Sequence, residues 1–156
     1  MMKLIPVEPK HQQLLWDILH VSLWDPPPAG LRPREVLDMP SVAIYAQDWG
    51  RPTDVGVLAV DDDTVMGGCW SRLLTTGLGY VNEETPQLGI ALFPEYQRKG
   101  LGTALMMHQL DSLRGRFPAV ALTVHPQNGA RLLYEKCGFA LHREIARGYL
   151  LMLAKL

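Results

Sequence analysis

One stretch, residues 87–114, restricts the fold of this chain more than any other. An apolar run of strand length, Gln87–Phe93, stops at Pro94. A turn follows with two cations and two glycines, Gln97-Arg98-Lys99-Gly100-Leu101-Gly102-Thr103. Residues 100–114 then read as a helix. A buried-type strand that runs through a glycine turn into a helix belongs to a layered α/β protein. It also makes an anion site. Glycine lets the backbone approach a ligand closely, and the first N–H groups of a helix have no intrahelical acceptor. The helix dipole adds positive potential there, so the turn suits a pyrophosphate, with Arg98 and Lys99 at its rim. It is neither a dinucleotide fingerprint, whose third glycine is Leu105 here, nor a P-loop, since no Gly-Lys-Ser/Thr follows the spacer.

The rest of the chain predicts a mixed α/β order. A first strand spans residues 3–8 and a helix residues 9–24, with Leu14, Leu15, Ile18, Leu19 and Val21 on its apolar side. Asp25-Pro26-Pro27-Pro28-Ala29-Gly30 cannot lie inside a helix, and residues 31–40 read as a further proline-interrupted connection. A short helix is expected over 41–49. Val55–Val60 and Val65–Arg72 form a hairpin about Asp61-Asp62-Asp63. Ala119–Val124 reads as a strand, 128–137 as a helix, and Tyr149–Leu153 as the last strand. The helix over 100–114 carries apolar residues on nearly every side, which predicts burial on most faces and makes His108 a packed core histidine.

A second segment, Asn128-Gly129-Ala130-Arg131-Leu132-Leu133-Tyr134-Glu135-Lys136-Cys137-Gly138-Phe139, pairs an N-cap asparagine with a C-terminal glycine. Ala130, Leu133, Tyr134 and Cys137 share one stripe, so Tyr134 faces inward. Its hydroxyl then needs a partner. Either the residue packs and bonds to backbone, or the hydroxyl serves the chemistry.

Bulk properties narrow the function classes. The 156 residues suit one domain, 1–156, and 47% hydrophobic with 20% charged residues is an ordinary globular composition. A formal charge of -1 gives no global reason to bind nucleic acid or an anionic membrane. No apolar run approaches membrane-spanning length, and the N-terminus lacks a signal-peptide stretch, so a cytoplasmic location is expected. Cys69 and Cys137 read as reduced core residues. The histidines form no ligating pair, so no metal is expected.

Taken together, the two glycine-bearing segments resemble the GNAT superfamily of N-acetyltransferases. Gln97-Arg98-Lys99-Gly100-Leu101-Gly102 is similar to its acetyl-CoA loop, Gln/Arg-x-x-Gly-x-Gly/Ala. Asn128, Ala130, Tyr134 and Gly138-Phe139 are similar to its downstream signature. The resemblance extends over about residues 41–140, including Trp49-Gly50-Arg51-Pro52, Gly67-Gly68-Cys69-Trp70 and Thr85–Ala91. It implies a strongly twisted mixed sheet flanked by helices and split between strands 87–93 and 119–124. Pantetheine would pair with the backbone of Ile90, Ala91 and Leu92. The pyrophosphate would sit on the loop from Gln97 through Arg98, Lys99, Gly100, Leu101 and Gly102 to Thr103, and Asn128 would touch the cofactor. Tyr134 would be the general acid beside the thioester sulfur.

Gln87 departs from this pattern, because many relatives carry a glutamate there that can act as base. Glu83 and Glu84 are the nearby substitutes. The implied activity is acetyl transfer from acetyl-CoA to a primary amine, with a small-molecule acceptor first and a protein N-terminus or lysine second. An acyl-CoA sensor with little turnover, an interaction domain without cofactor and a homodimeric assembly are the other readings.

Overall fold

The structure, a computed structural model, describes all 156 residues. Its seven strands are β1 (Met2–Pro6), β2 (Val55–Asp61), β3 (Thr64–Arg72), β4 (Gln87–Leu92), β5 (Ala119–Val124), β6 (Ala140–Glu144) and β7 (Leu150–Lys155). They form one sheet in the order β1-β2-β3-β4-β5-β7-β6. Every neighbouring pair is antiparallel except β4 and β5, which run parallel. Four helices cover it: α1 (Gln12–Ser22), α2 (Pro40–Ala43), α3 (Leu101–Leu113) and α4 (Ala130–Lys136).

Strand alternation sorts the core into two layers. Val57, Ala59 and Cys69 point to one face, where they meet Leu105, Met106, Leu110 and Leu113 of α3 and Tyr134 of α4. Their neighbours Leu58 and Trp70 point to the other, against Leu15, Ile18 and Leu19 of α1. Each such aliphatic side chain, fully buried, stabilises the fold by about 1.5–3 kcal/mol relative to exposure.

Several expectations need correction. The first helix does not run over 9–24: Pro9–His11 is a 3₁₀ turn, and α1 ends at Ser22 because Leu23 leaves helical geometry (φ -81°, ψ 81°). The proline-interrupted region holds a 3₁₀ helix, Arg34–Asp38, starting just after Pro33. The helix expected over 41–49 is only Pro40–Ala43. α3 is one-sided rather than buried on most faces: Ala104, Met107, His108 and Asp111 are exposed opposite Leu105, Gln109 and Leu113. His108 is therefore a surface residue. β6 was not expected at all; all five of its residues are exposed on the sheet's outer edge.

Residues 44–54 carry no regular structure, yet they are held firmly. Arg72 on β3 and Asp54 form an ion pair at 2.8 Å, each side chain only 1% exposed. The guanidinium also donates to the carbonyls of Ile44 (2.9 Å) and Gln47 (2.7 Å) and lies over the Trp49 ring. Satisfying so many donors is what makes a buried cation tolerable.

Candidate active site in the opened sheet

The sheet comes apart in its middle. β4 and β5 pair only at Gln87 and Ala121, where the Ala121 N–H also donates to the Pro86 carbonyl at 2.9 Å. Past that rung the strands diverge and enclose a cleft of about 620 Å³. Leu88, Gly89 and Ile90 form one wall, and Leu122, Thr123, Val124 and His125 the other. The inner edge of β4 beyond Gln87 is left without a strand partner, so an extended ligand can add there by backbone pairing. Ile90 lines the cleft; Ala91 and Leu92 continue β4 toward the glycine loop.

That loop has the shape of an anion cradle. Arg98 (φ 61°) and Gly100 (φ 79°) both adopt left-handed backbone, which turns successive N–H groups inward as in an anion-binding nest. The amides of Arg98, Lys99, Gly100, Leu101, Gly102 and Thr103 make no backbone hydrogen bond. Gly100 has open space where a Cβ would stand, whereas a Cβ on Gly102 would come within 3.2 Å of Leu133. Gln97 does something the sequence did not suggest: its Nε2 donates to the Leu92 carbonyl at 2.9 Å, hooking the loop to the end of β4. These residues fit a pyrophosphate-bearing ligand by their unpaired donors alone.

Tyr134 reaches the cleft from α4. It is 8% exposed, stacks edge-on to Phe139 with centroids 6.2 Å apart, and lines the cleft. Burial pushes its phenol well above the ordinary range, the nearby Cys69 thiol adds to this, and no hydrogen bond offsets either effect. It thus packs without bonding to backbone and keeps its proton throughout the neutral range. Asn128 lines the cleft as well, and its Oδ1 accepts the Ala130 N–H at 3.0 Å, fixing where α4 begins.

Gln87 is fully employed. Its Oε1 accepts from the Tyr45 hydroxyl at 2.6 Å and from the Gly79 N–H at 3.2 Å, and its Nε2 donates to the Thr76 carbonyl at 2.8 Å. The amide thereby closes residues 76–79 over the cleft floor. Gly77 is required in that closure: φ is 118°, and a Cβ would fall 2.6 Å from the Tyr45 hydroxyl. Glu83 and Glu84 sit in the exposed turn before β4 and are not among the cleft-lining residues.

The remaining wall is aromatic and basic. Trp24 and Tyr149 flank His125 edge-on, at 5.5 and 5.4 Å between centroids. Trp70 and Tyr45 also line the cleft, whereas Trp49 is a core residue whose indole donates to the Val7 carbonyl. The proline-rich connection reaches the cleft through Arg32, which clasps Asp25 in a fork of 2.7 and 2.8 Å and touches the Tyr149 hydroxyl at 3.3 Å. This pair was not foreseen; two charges in a proline-rich segment give no periodic signal.

A sheet opened beside an unpaired strand edge and ending in a nest of free amides offers backbone donors and acceptors suited to an extended, phosphorylated ligand. The chain belongs to the acetyltransferase (GNAT) family, whose model matches residues 16–139. It is similar to the [ribosomal protein bS18]-alanine N-acetyltransferase of Escherichia coli strain K12, at 44% identity over 61 residues. That match takes in 38% of this chain and only 41% of the relative. The PaiA N-acetyltransferase of Thermoplasma acidophilum, solved with coenzyme A, superposes with a TM-score of 0.68 at 15% identity, over 100% of this chain and 99% of that one. Spermidine N-acetyltransferase of Vibrio cholerae, solved with CoA and spermine, gives 0.66 at 18% identity, over 99% and 95%. At these identities the solved structures speak for the fold. No helix is long and apolar enough to cross a membrane.

Proposed function

We propose that this chain transfers an acetyl group from acetyl-CoA to a primary amine of a small molecule. The observation that carries this reading is the unpaired edge of β4 leading to six free amides, with the Tyr134 hydroxyl beside the opening. Bound there, acetyl-CoA supplies a thioester carbonyl that an amine can attack.

The chain's own groups then divide the work. Ile90, Ala91 and Leu92 offer backbone donors and acceptors that align the pantetheine arm. Gln97 fixes the loop, the amides of 98–103 hold the pyrophosphate, and Arg98 and Lys99 add positive charge. Asn128 sets the far wall. Tyr134 donates a hydrogen bond to the sulfur as negative charge develops on it. A phenol raised by burial is a weaker acid than the leaving thiol, whose ordinary pKa is about 8.5, so stabilisation of the thiolate outweighs full proton transfer.

The incoming amine must lose a proton, and no carboxylate lines the cleft. His125 is a poor acceptor for it. Its Nδ1 already takes the Gln127 N–H at 3.0 Å, so the neutral ring carries hydrogen on Nε2. The amine therefore delivers one proton to solvent on entry; after attack the nitrogen sheds a second, which solvent passes on to the departing thiolate, so CoA leaves as the thiol.

Release of free CoA thiol across a panel of amines, with wild-type protein and acetyl-CoA, tests the proposal. Thiol released with an acylated small amine supports it. Binding of acetyl-CoA without thiol release would make the chain an acyl-CoA sensor instead. The similarity to the bS18-alanine enzyme favours one second reading, a protein N-terminus as acceptor. Peptides in the same panel would detect it.

A further inference from the structure

The hairpin between β6 and β7 breaks a local rule beside the cleft. The Tyr149 N–H donates to the Ala146 carbonyl at 3.3 Å, closing a two-residue turn over Arg147 and Gly148. Both central residues are left-handed, at φ 63° and 76°, which makes a type I′ turn. Asparagine, aspartate or glycine is favoured at its first central position. This chain places arginine there, a long side chain in backbone it rarely adopts. A local rule broken without a packing reason is expected at functional positions.

Arg147 lines the cleft together with Ala146 and Tyr149, near Trp24 and His125. Two guanidiniums reach this cleft, and their situations differ. Arg32 is neutralised by the Asp25 fork. Arg147 is in no ion pair with the protein, and no aspartate or glutamate lines the cleft to meet it. None of residues 97–103 contributes to this cleft, so Arg147 stands apart from the phosphate cradle. A polycationic acceptor entering here would meet the unpaired Arg147 guanidinium, while Asp25 is already taken by Arg32 and Glu144 stands outside the lining, which costs affinity. An oxyanion would find a planar, bidentate donor.

We propose that the acceptor is a primary amine that also carries an oxyanion group, carboxylate or phosphate, and that Arg147 receives this group at the cleft mouth. The proposal rests on the acetyl-transfer reading and names the substrate class within it.

Matched amines test it: 4-aminobutyrate against 4-aminobutanamide, L-phenylalanine against its amide, O-phosphoethanolamine against ethanolamine, with spermidine as the polycation. CoA thiol release is the readout. The anionic member should exceed its neutral partner in kcat/KM by about tenfold, the worth of one charge-assisted hydrogen bond. The carboxylate and phosphate pairs separate the two oxyanions. Arg147→Asn installs the residue the turn prefers, so its Tm should equal or exceed that of wild type. The anion preference should collapse toward unity through KM, and Arg147→Lys should keep part of it. Acetyl-CoA affinity, read by calorimetry, should not move. Equal or better use of neutral amines or spermidine would overturn the proposal. So would an unchanged preference in Arg147→Asn, or weakened acetyl-CoA binding, which would assign the arginine to the cofactor. Thiol release from no amine would overturn the transfer reading and this proposal together; release indifferent to acceptor charge would overturn this proposal alone.

Discussion

The Tyr45 hydroxyl donates to the side-chain oxygen of Gln87 at 2.6 Å, 42 residues away in sequence. Burial raises the Tyr45 phenol, so it stays a donor. The same oxygen takes the Gly79 N–H, and the amide nitrogen serves the Thr76 carbonyl. An amide meets these demands because it both accepts and donates; a carboxylate only accepts. Gln87→Glu would set a charged oxygen against the Thr76 carbonyl in a site 3% exposed. The expected loss of stability is about 1–3 kcal/mol, measured by urea unfolding, with no gain in turnover. An equally stable and faster variant would mean that a base is wanted at this position.

Tyr134→Phe keeps the packing on Phe139 and removes the hydroxyl. Turnover at saturating acetyl-CoA is expected to fall roughly 10- to 1000-fold, the loss of a hydrogen bond made to the departing sulfur and overlapping the range of acid–base groups, with little change in acetyl-CoA affinity. Wild-type turnover in this variant would reduce Tyr134 to a packing residue.

The pH dependence of transfer separates two sources of the base. With the proton lost to solvent, kcat/KM rises with pH up to the ordinary pKa of the acceptor, about 10.4 for a lysine-like amine. Glu83→Gln and Glu84→Gln should leave that profile in place, since both side chains are exposed outside the cleft. A carboxylate inflection that disappears in either variant would restore that residue as the base.

Acid should act on the Arg72–Asp54 pair. Burial alone would raise the Asp54 carboxyl, but the Arg72 guanidinium and the Gly50 and Arg51 amides together hold it below the ordinary aspartate value of 3.8. A lowered folded pKa means that the pair's contribution is present above about 3.8 and is lost as pH falls through the folded value. Asp54→Asn strands a buried cation and is expected to cost about 3–5 kcal/mol at neutral pH. Its stability should also flatten against pH in the acid range, which a urea-denaturation series at several pH values would show.

The sequence was legible where burial imposes a period. β2, β3, β4 and β5 alternate or run apolar, and α4 carries its stripe between Asn128 and Gly138, so their places followed from residues alone. β6 left no such trace, because Ala140–Glu144 faces solvent with every side chain. His108 was misplaced because apolar neighbours on α3 hid that only one face packs. The opening between β4 and β5 came from family resemblance, since nothing in either strand's composition forbids pairing. Arg32 with Asp25, and Arg72 with Asp54, are contacts between irregular segments. Arg147 was invisible for another reason: its signal is a backbone angle, and Arg-Gly does not announce a type I′ turn as Asn-Gly does.

The lone rung between Gln87 and Ala121 makes the sheet two panels on a hinge. Four strands lie on one side of the seam and three on the other. Load crossing it passes through side chains instead of a ladder of backbone bonds: Val57, Cys69 and Leu88 from one panel meet Leu122, Val124 and Met152 from the other in a single apolar layer. Such a seam resists compression well and shear poorly, because apolar contacts are non-directional. An extended ligand bonded to the free edge of β4 would act as a splint, so acetyl-CoA should slow amide hydrogen exchange along β4 and β5 well beyond the atoms it touches.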